Sequence, residues 1–369
     1  MEFCDDVDVN VNHNRPMNSS KQTLVYPLGD HLPEVGATLE VAPGVRWLRM
    51  PLPFELDHIN LWLLADELDG VQGWTVVDCG IDDANTRAHW ETLFATALEG
   101  RPILRVIATH MHPDHLGLAH WLCARWQVPL WISAAEYLAA AKATHSPDAA
   151  SLQNASDFCR SHGLSDQKAI EHMHYRNAFY AQLTPRVPPC YVRLQAGDTL
   201  TIGGARWRCI GGFGHSPEHM ALACEERGLL IGGDMMLPRI STNVSVYETE
   251  PLSNPVQQFL DSIDQLAPLA EETLTLPSHG KPFRGLHHRI QQLHQHHQER
   301  LAELEQACTE RALCAVDALG ILFKRPLDDH QLTFAFGEAV AHLHALWYAH
   351  RVERQKDSNG VFRFKSQVI

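Results

Sequence analysis

The sequence predicts an α/β protein of two sheets covered by helices, with a helical insertion and a smaller, mostly helical C-terminal domain. Three observations predict it. Short apolar runs broken by turn signals fill the stretch from Thr38 to Asp78 and return from Tyr191 to Asp234, as strands do. Helix-like segments with polar faces separate these two strand-rich halves. Beyond about His287 the pattern turns mostly helical, and 369 residues suit two domains.

Residues 1–22 lack periodicity and apolar content and are expected to form a disordered arm. The runs TLEVA, VRWLRM, INLWLL and WTVVD then read as a meander, punctuated by Pro43-Gly44 and Asp69-Gly70. A helix is predicted over Ala84–Leu98, with Asp82 and Asp83 as candidate caps, and a buried strand over Ile103–Ala108. After a strand at Trp131–Ser133, three helix-like stretches make up an inserted helical subdomain over about 134–185, expected to act as a lid. Strands return in YVRLQ, DTLTIGG, ARWRCIGG, MALACEE and GLLIGGD. A helix at Pro255–Leu266 and a strand at Thr273–Leu276 close the larger domain, which spans 23–286. The C-terminal domain, 287–369, is expected to hold a long helix to Gln306, a second capped by Thr309, and a third over Glu338–Tyr348. A hairpin around Asn359-Gly360 should end it.

With 30 Lys+Arg against 44 Asp+Glu the chain carries a formal charge of −14, which makes free nucleic acid an unexpected partner. No run approaches the roughly 18 apolar residues of a membrane span. The N-terminal stretch is acidic and polar without an apolar core, so no signal peptide is expected. Nine cysteines form no C-x-x-C pair. A reducing, cytoplasmic setting is expected.

The anomaly is 24 histidines, and their placement carries the chemistry. Thr109–Gly117 reads T-H-M-H-P-D-H-L-G at the end of a predicted buried strand. Residues i and i+2 of an extended segment point the same way, so His110 and His112 can present imidazoles to one metal. Asp114 and His115, on the turn that follows, can serve a second. Further candidates recur after strand-like runs, in Gly214-His215-Ser216-Pro217-Glu218-His219, in Ile231-Gly232-Gly233-Asp234 and in Leu276-Pro277-Ser278-His279-Gly280. Asp78 in VVDCG stands in the same position relative to its own strand.

Together these segments resemble the metallo-β-lactamase superfamily of binuclear metallohydrolases, with H-x-H-x-D-H, G-H-[ST]-P, G-D and P-x-H-G in the family's order over roughly residues 37–286. The resemblance implies an αββα sandwich with metals at one edge between the sheets. It assigns one metal to His110, His112 and His215, and a second to Asp114, His115 and His279, with Asp234 bridging. Asp78 would hold the His110 loop by hydrogen bonds without touching a metal, and His219 would lie near the metals without binding one. Two divalent ions are implied, zinc first, with iron or manganese as alternatives. Such ions lower the pKa of a shared water toward neutrality and polarise the substrate. Asp114 and Asp234 are the catalytic candidates, Asp114 either shuttling a proton or only orienting water.

Departures narrow the class. Position 234 is Asp where many zinc β-lactamases have Cys, and the first motif lacks the Glu of the diiron oxygen reductases. Only 44 residues separate Asp234 from His279, too few for the insertion of the messenger-RNA-processing nucleases. Arg239, Ser241 and Asn243 follow a ligand candidate and either line the substrate or form a solvated loop; Asn60 has the same status. In the insertion, His172, His174, Tyr175 and Tyr180 are either pocket residues or packing. The C-terminal part resembles the winged-helix tail of one branch of the superfamily. It carries 10 Lys+Arg and 10 Asp+Glu, without the basic patch that phosphate binding requires, so it reads as a packing or homodimerisation module. The expected activity is hydrolysis of a small ester or thioester, of the acyl-glutathione or acyl-CoA type. The alternative is a phosphodiesterase or endoribonuclease.

Overall fold

The computed structural model describes residues 23–54 and 56–366, with the side chains of 175–178 and 330 left out of the description. The arm expected over 1–22 lies outside the described residues.

The predicted meander forms as β1 (Leu39–Ala42), β2 (Val45–Pro51), β3 (His58–Leu68) and β4 (Val71–Val77), paired antiparallel in that order. α1 (Ala84–Thr96) follows, capped by the Asp83 carboxylate, which accepts from Thr86 N. The chain then gives β5 (Ile103–Ile107), α2 (Pro113–Leu116), α3 (Ala119–Trp126) and β6 (Leu130–Ser133). The helices α4 (Ala134–Ala143), α5 (Ala149–Ser161) and α6 (Gln167–Leu183) precede β7 (Tyr191–Leu194). β4 to β7 pair in parallel and complete a seven-stranded sheet in sequence order.

That topology changes the reading of the helical segment. Because β7 lies parallel beside β6, the chain needs a crossover of a dozen or more residues between them. The three helices are that crossover, lengthened, rather than an excursion from a loop.

The second sheet runs β12-β11-β10-β9-β8, from β8 (Thr199–Ile202), β9 (Ala205–Gly212), β10 (His219–Cys224), β11 (Leu229–Gly233) and β12 (Leu274–Pro277), with α7 (Pro255–Asp264) between the last two. An apolar layer joins the sheets: Trp47, Trp62, Val77 and Ile107 of the first are buried with Trp207, Leu222, Ile231 and Leu276 of the second. Helices cover the outer faces. Two packed sheets with helices outside match the expected sandwich.

The C-terminal part consists of α8 (Leu286–Glu310), α9 (Ala315–Leu322), α10 (Asp329–Tyr348) and the hairpin β13 (Val352–Lys356) and β14 (Phe362–Ser366). Two local expectations are corrected. Thr309 lies in the last turn of α8, its hydroxyl donating to Gln306 O, while α9 is capped by Cys314 in a reciprocal box with Asp317. α10 begins nine residues before Glu338, with Asp328 as cap and Gln331 completing the box. From Ala335 to Leu346 α10 is buried at every position except the half-buried Glu338, and a helix apolar all round belongs inside a protein. One continuous core contains Cys159 and Ile170 of the crossover, Phe259 and Ile263 of α7, and Val340, Leu343 and Phe364 of the C-terminal part.

Candidate metal centre

The motifs converge where both sheets end. From β5 the chain runs through Thr109–His112 into α2, whose first residue, Pro113, needs no amide partner. His110 Nε2 lies 2.9 Å from His112 Nδ1 and 3.2 Å from His215 Nε2. Tetrahedral ligands about 2.05 Å from zinc would stand about 3.3 Å apart, so three nitrogens this close suit one cation. His115 comes from α2 and His279 from the turn after β12. Asp114 Oδ2 is 3.5 Å from His115 Nε2 and 3.4 Å from His279 Nε2.

Asp234 faces both clusters. Its Oδ2 is 3.3 Å from His215 Nε2, and its Oδ1 is 3.5 Å from both His115 Nε2 and His279 Nε2. Two groups could therefore hold a metal ion: His110, His112, His215 and Asp234, and Asp114, His115 and His279. A test of fit lies in the buried polar atoms, which rarely go unpaired. His115 Nε2 and Asp234 Oδ1 are buried without a hydrogen-bond partner, and both point into these groups. All seven side chains offer nitrogen or oxygen, the donors of divalent zinc, iron or manganese.

Three of the imidazoles, those of His115, His279 and His215, are oriented by their other nitrogen, as metal-binding histidines usually are. His115 Nδ1 lies 2.8 Å from Asp78 Oδ2, while Asp78 Oδ1 accepts from Thr109 N and Oγ1. Asp78 thus contacts both Thr109, next to His110, and His115. His279 Nδ1 donates to His58 O, and His215 Nδ1 to Asn243 O. Glycines make room: a Cβ on Gly233, at φ +55°, would sit 2.1 Å from His219 Nε2, and one on Gly214, at φ +93°, 2.2 Å from Pro255 O.

Charge divides the cluster. Burial, then the neighbouring imidazoles, pushes His110 far below the ordinary histidine range; burial and His215 take His112 to about 3. Burial also opposes the charge of His115, but Asp114, Asp78 and Asp234 outweigh it and raise His115 to about 10. Burial thus opposes positive charge on His110 and His112, while the carboxylates around His115 favour it.

Other candidates fall elsewhere. Asn60 is fully buried and committed: Nδ2 donates to Pro277 O and Gly280 O, and Oδ1 accepts from Trp47 Nε1. It has nothing to offer a substrate, and instead pins the His279 turn. Asn243 is likewise engaged, its amide donating to Glu338 Oε2 and its carbonyl accepting from Ser245 Oγ. Arg239 is exposed and Ser241 half-buried. Tyr175 belongs to α6, but its side chain lies outside the described residues. His174 Nε2 pairs with Ser156 Oγ, tying α6 to α5. His219 is fully buried, its ring 5.2 Å from that of His110; neither of its nitrogens has a partner, and it belongs to neither group.

Sequence reasoning missed Glu136 of α4. Fully buried, its Oε1 accepts from Ser216 Oγ and Glu218 N, both at 2.6 Å, and its Oε2 from Met111 N at 2.8 Å. It looked like one charge on a polar helix. No local signal marks a carboxylate whose partners lie 25 to 82 residues away.

Comparison with known proteins agrees with this geometry. Residues 55–306 match the metallo-beta-lactamase superfamily, and residues 301–367 match the "Metallo-beta-lactamase-like, C-terminal domain". The crystal structure of a beta-lactamase domain protein from Burkholderia ambifaria is 50% identical, covering 93% of this chain and 98% of its own, with a TM-score of 0.87. The "Probable metallo-hydrolase YqjP" of Bacillus subtilis (strain 168) is 21% identical over 85% of this chain and 96% of its own length. The "Acyl-coenzyme A thioesterase MBLAC2" of Gallus gallus is 27% identical over 65% of this chain and 79% of its own. With its motifs converging at one edge of a two-sheet sandwich and the family match spanning most of its length, the chain belongs to the metallo-beta-lactamase superfamily.

Proposed function

We propose that this metallohydrolase works with two divalent ions, zinc first, and cleaves a small ester or thioester of the acyl-glutathione or acyl-coenzyme A type. The observation that carries the two-ion reading is Asp234, whose two oxygens face two different histidine clusters. His110, His112 and His215 would hold one ion and Asp114, His115 and His279 the other, with Asp234 shared. Bound there, the ions would lower the pKa of water and polarise a carbonyl. The chain's part is to fix the ligands through Asp78, Asn243 and His58, and to place the Asp114 carboxylate where it can orient water or move a proton. Arg239 and Ser241, next along the chain from Asp234, are the side chains offered to the body of the substrate.

The relative that carries the acyl-coenzyme A thioesterase name supports the thioester choice. So does the burial of α10, the third helix of the C-terminal part, which leaves little of that helix to enter a nucleic-acid groove. The test is thioester, lactone, phosphodiester and single-stranded RNA turnover by one metal-replete preparation at two salt concentrations. Thioester turnover that salt barely changes is expected. RNA cleavage that weakens steeply with salt, without thioester turnover, would overturn the substrate class.

A further inference from the structure

Met111 separates His110 from His112, so its peptide groups set how those two imidazoles are presented. Both are taken by side chains from the β6–β7 crossover. Met111 N donates to Glu136 Oε2 of α4 at 2.8 Å, and Met111 O accepts from Tyr180 Oη of α6 at 2.6 Å. Glu136 Oε1 simultaneously takes Ser216 Oγ and Glu218 N, beside His215. The loops bearing His110, His112 and His215 are thereby joined through one buried carboxylate. Hydrogen bonds to a carboxylate are short and strong, and this carboxylate is fully buried.

We infer that Glu136 and Tyr180 are positioning residues of the His110–His112–His215 half of the centre, and that these two side chains set the affinity of that half alone. Neither side chain is hydrogen-bonded to Asp114, His115 or His279. In Glu136→Gln, an amide N–H replaces an acceptor at one end. It must then face either Met111 N–H or the Ser216 and Glu218 donors, and one loop has to move. Tyr180→Phe removes a single hydroxyl and frees Met111 O with little change of volume.

The inference rests on the ligand assignment proposed above, so the test isolates each half. In a His279→Ala background one half is intact, and in a His110→Ala background the other. Zinc affinity is measured in each by competition with a chromophoric chelator, with circular dichroism of the metal-free protein as the check on folding. Glu136→Gln is expected to weaken zinc about 10- to 100-fold in the His279→Ala background, and to leave it within about twofold in the His110→Ala background. Tyr180→Phe should act in the same direction and less strongly, and it keeps the test decisive if Glu136→Gln does not fold. Equal losses in both backgrounds, or no loss in the first, would overturn the inference. A wild-type chain that takes up no zinc would overturn the ligand assignment, and this inference with it.

Discussion

The two halves of the centre are supported by different parts of the molecule. The Asp114–His115–His279 half leans on the sandwich: Asp78 at the end of β4 holds His115, His58 O at the start of β3 holds His279, and Asn60 of β3 pins the turn around it. The His110–His112–His215 half shares Asp78, through Thr109, and leans as well on what surrounds the sandwich. Glu136 and Tyr180 come from the crossover. Asn243, which receives His215, is tied to Glu338 of α10, and Val246 N to Gly337 O of the same helix. One half thus depends on strand register, which cannot shift by one residue without turning core side chains outward. The other depends on helices as well, whose packing can change while the sheets stay as they are.

Asp234 faces both halves, so its loss should erase the distinction and give the largest effect. Asp234→Ala is expected to lower turnover by well over about 100-fold, beyond what loss of a supporting residue costs. Glu218→Ala, which leaves all seven ligand candidates in place, should retain most of the activity. Steady-state assays of both variants check this, and near-native activity in Asp234→Ala would break the assignment of the centre.

Acid should separate the halves. His162, His297, His342 and His344 are buried between the crossover, α7 and the C-terminal helices. Burial, the leading cause in each, lowers His297 to about 2 and the other three to about 4. The unfolded chain holds these groups near the ordinary 6.5, so it binds more protons than the folded chain as pH falls from about 6.5 toward 4. Their stabilisation is complete above about pH 6.5 and is lost through that window. Glu338 opposes this weakly, since burial raises it to about 7 and its penalty is relieved in acid. We expect the metal-free chain to lose several kcal/mol between pH 7 and pH 5. Amides of 241–246 should exchange sooner than those of 58–62 as acid loosens α10, and equal rates would contradict the division.

The smallest effect should come from within the sandwich. Asn60→Ala strands the buried Trp47 Nε1–H and two carbonyls, at a cost of about 1–3 kcal/mol. It should also weaken the ion beside His279 while sparing the one beside His110. Thermal unfolding together with zinc competition measures both, and equal weakening of the two ions would blur the comparison.

The same division explains what the sequence revealed. The ligand candidates and Asp78 were legible because each follows a continuous apolar run, so a local pattern placed it at a strand end. The supports of the sandwich were half legible: Asn60 stood out, but as either a substrate residue or part of a solvated loop, since nothing local shows that Trp47, Pro277 and Gly280 saturate it. Glu136 left no trace, and Tyr180 looked like packing, because their partners are peptide groups far away in the chain. α10 was read too short for a related reason. With buried residues on every side it has no polar stripe to mark its period, and its start is marked only by the Asp328–Gln331 box.

The crossover between β6 and β7 has a consequence for descent as well as for chemistry. Parallel neighbours must be joined by some such connection, yet its content is not dictated by the strands it joins. A lineage can therefore lengthen, shorten or exchange these helices by insertion and deletion while the register Leu130↔Tyr191 to Ser133↔Leu194 is inherited unchanged. Because Met111 is gripped from that connection, each such exchange also bears on how His110 and His112 are presented. Variation in the most replaceable part of the chain thus becomes variation in how the enzyme holds its metal, without disturbing the sheets.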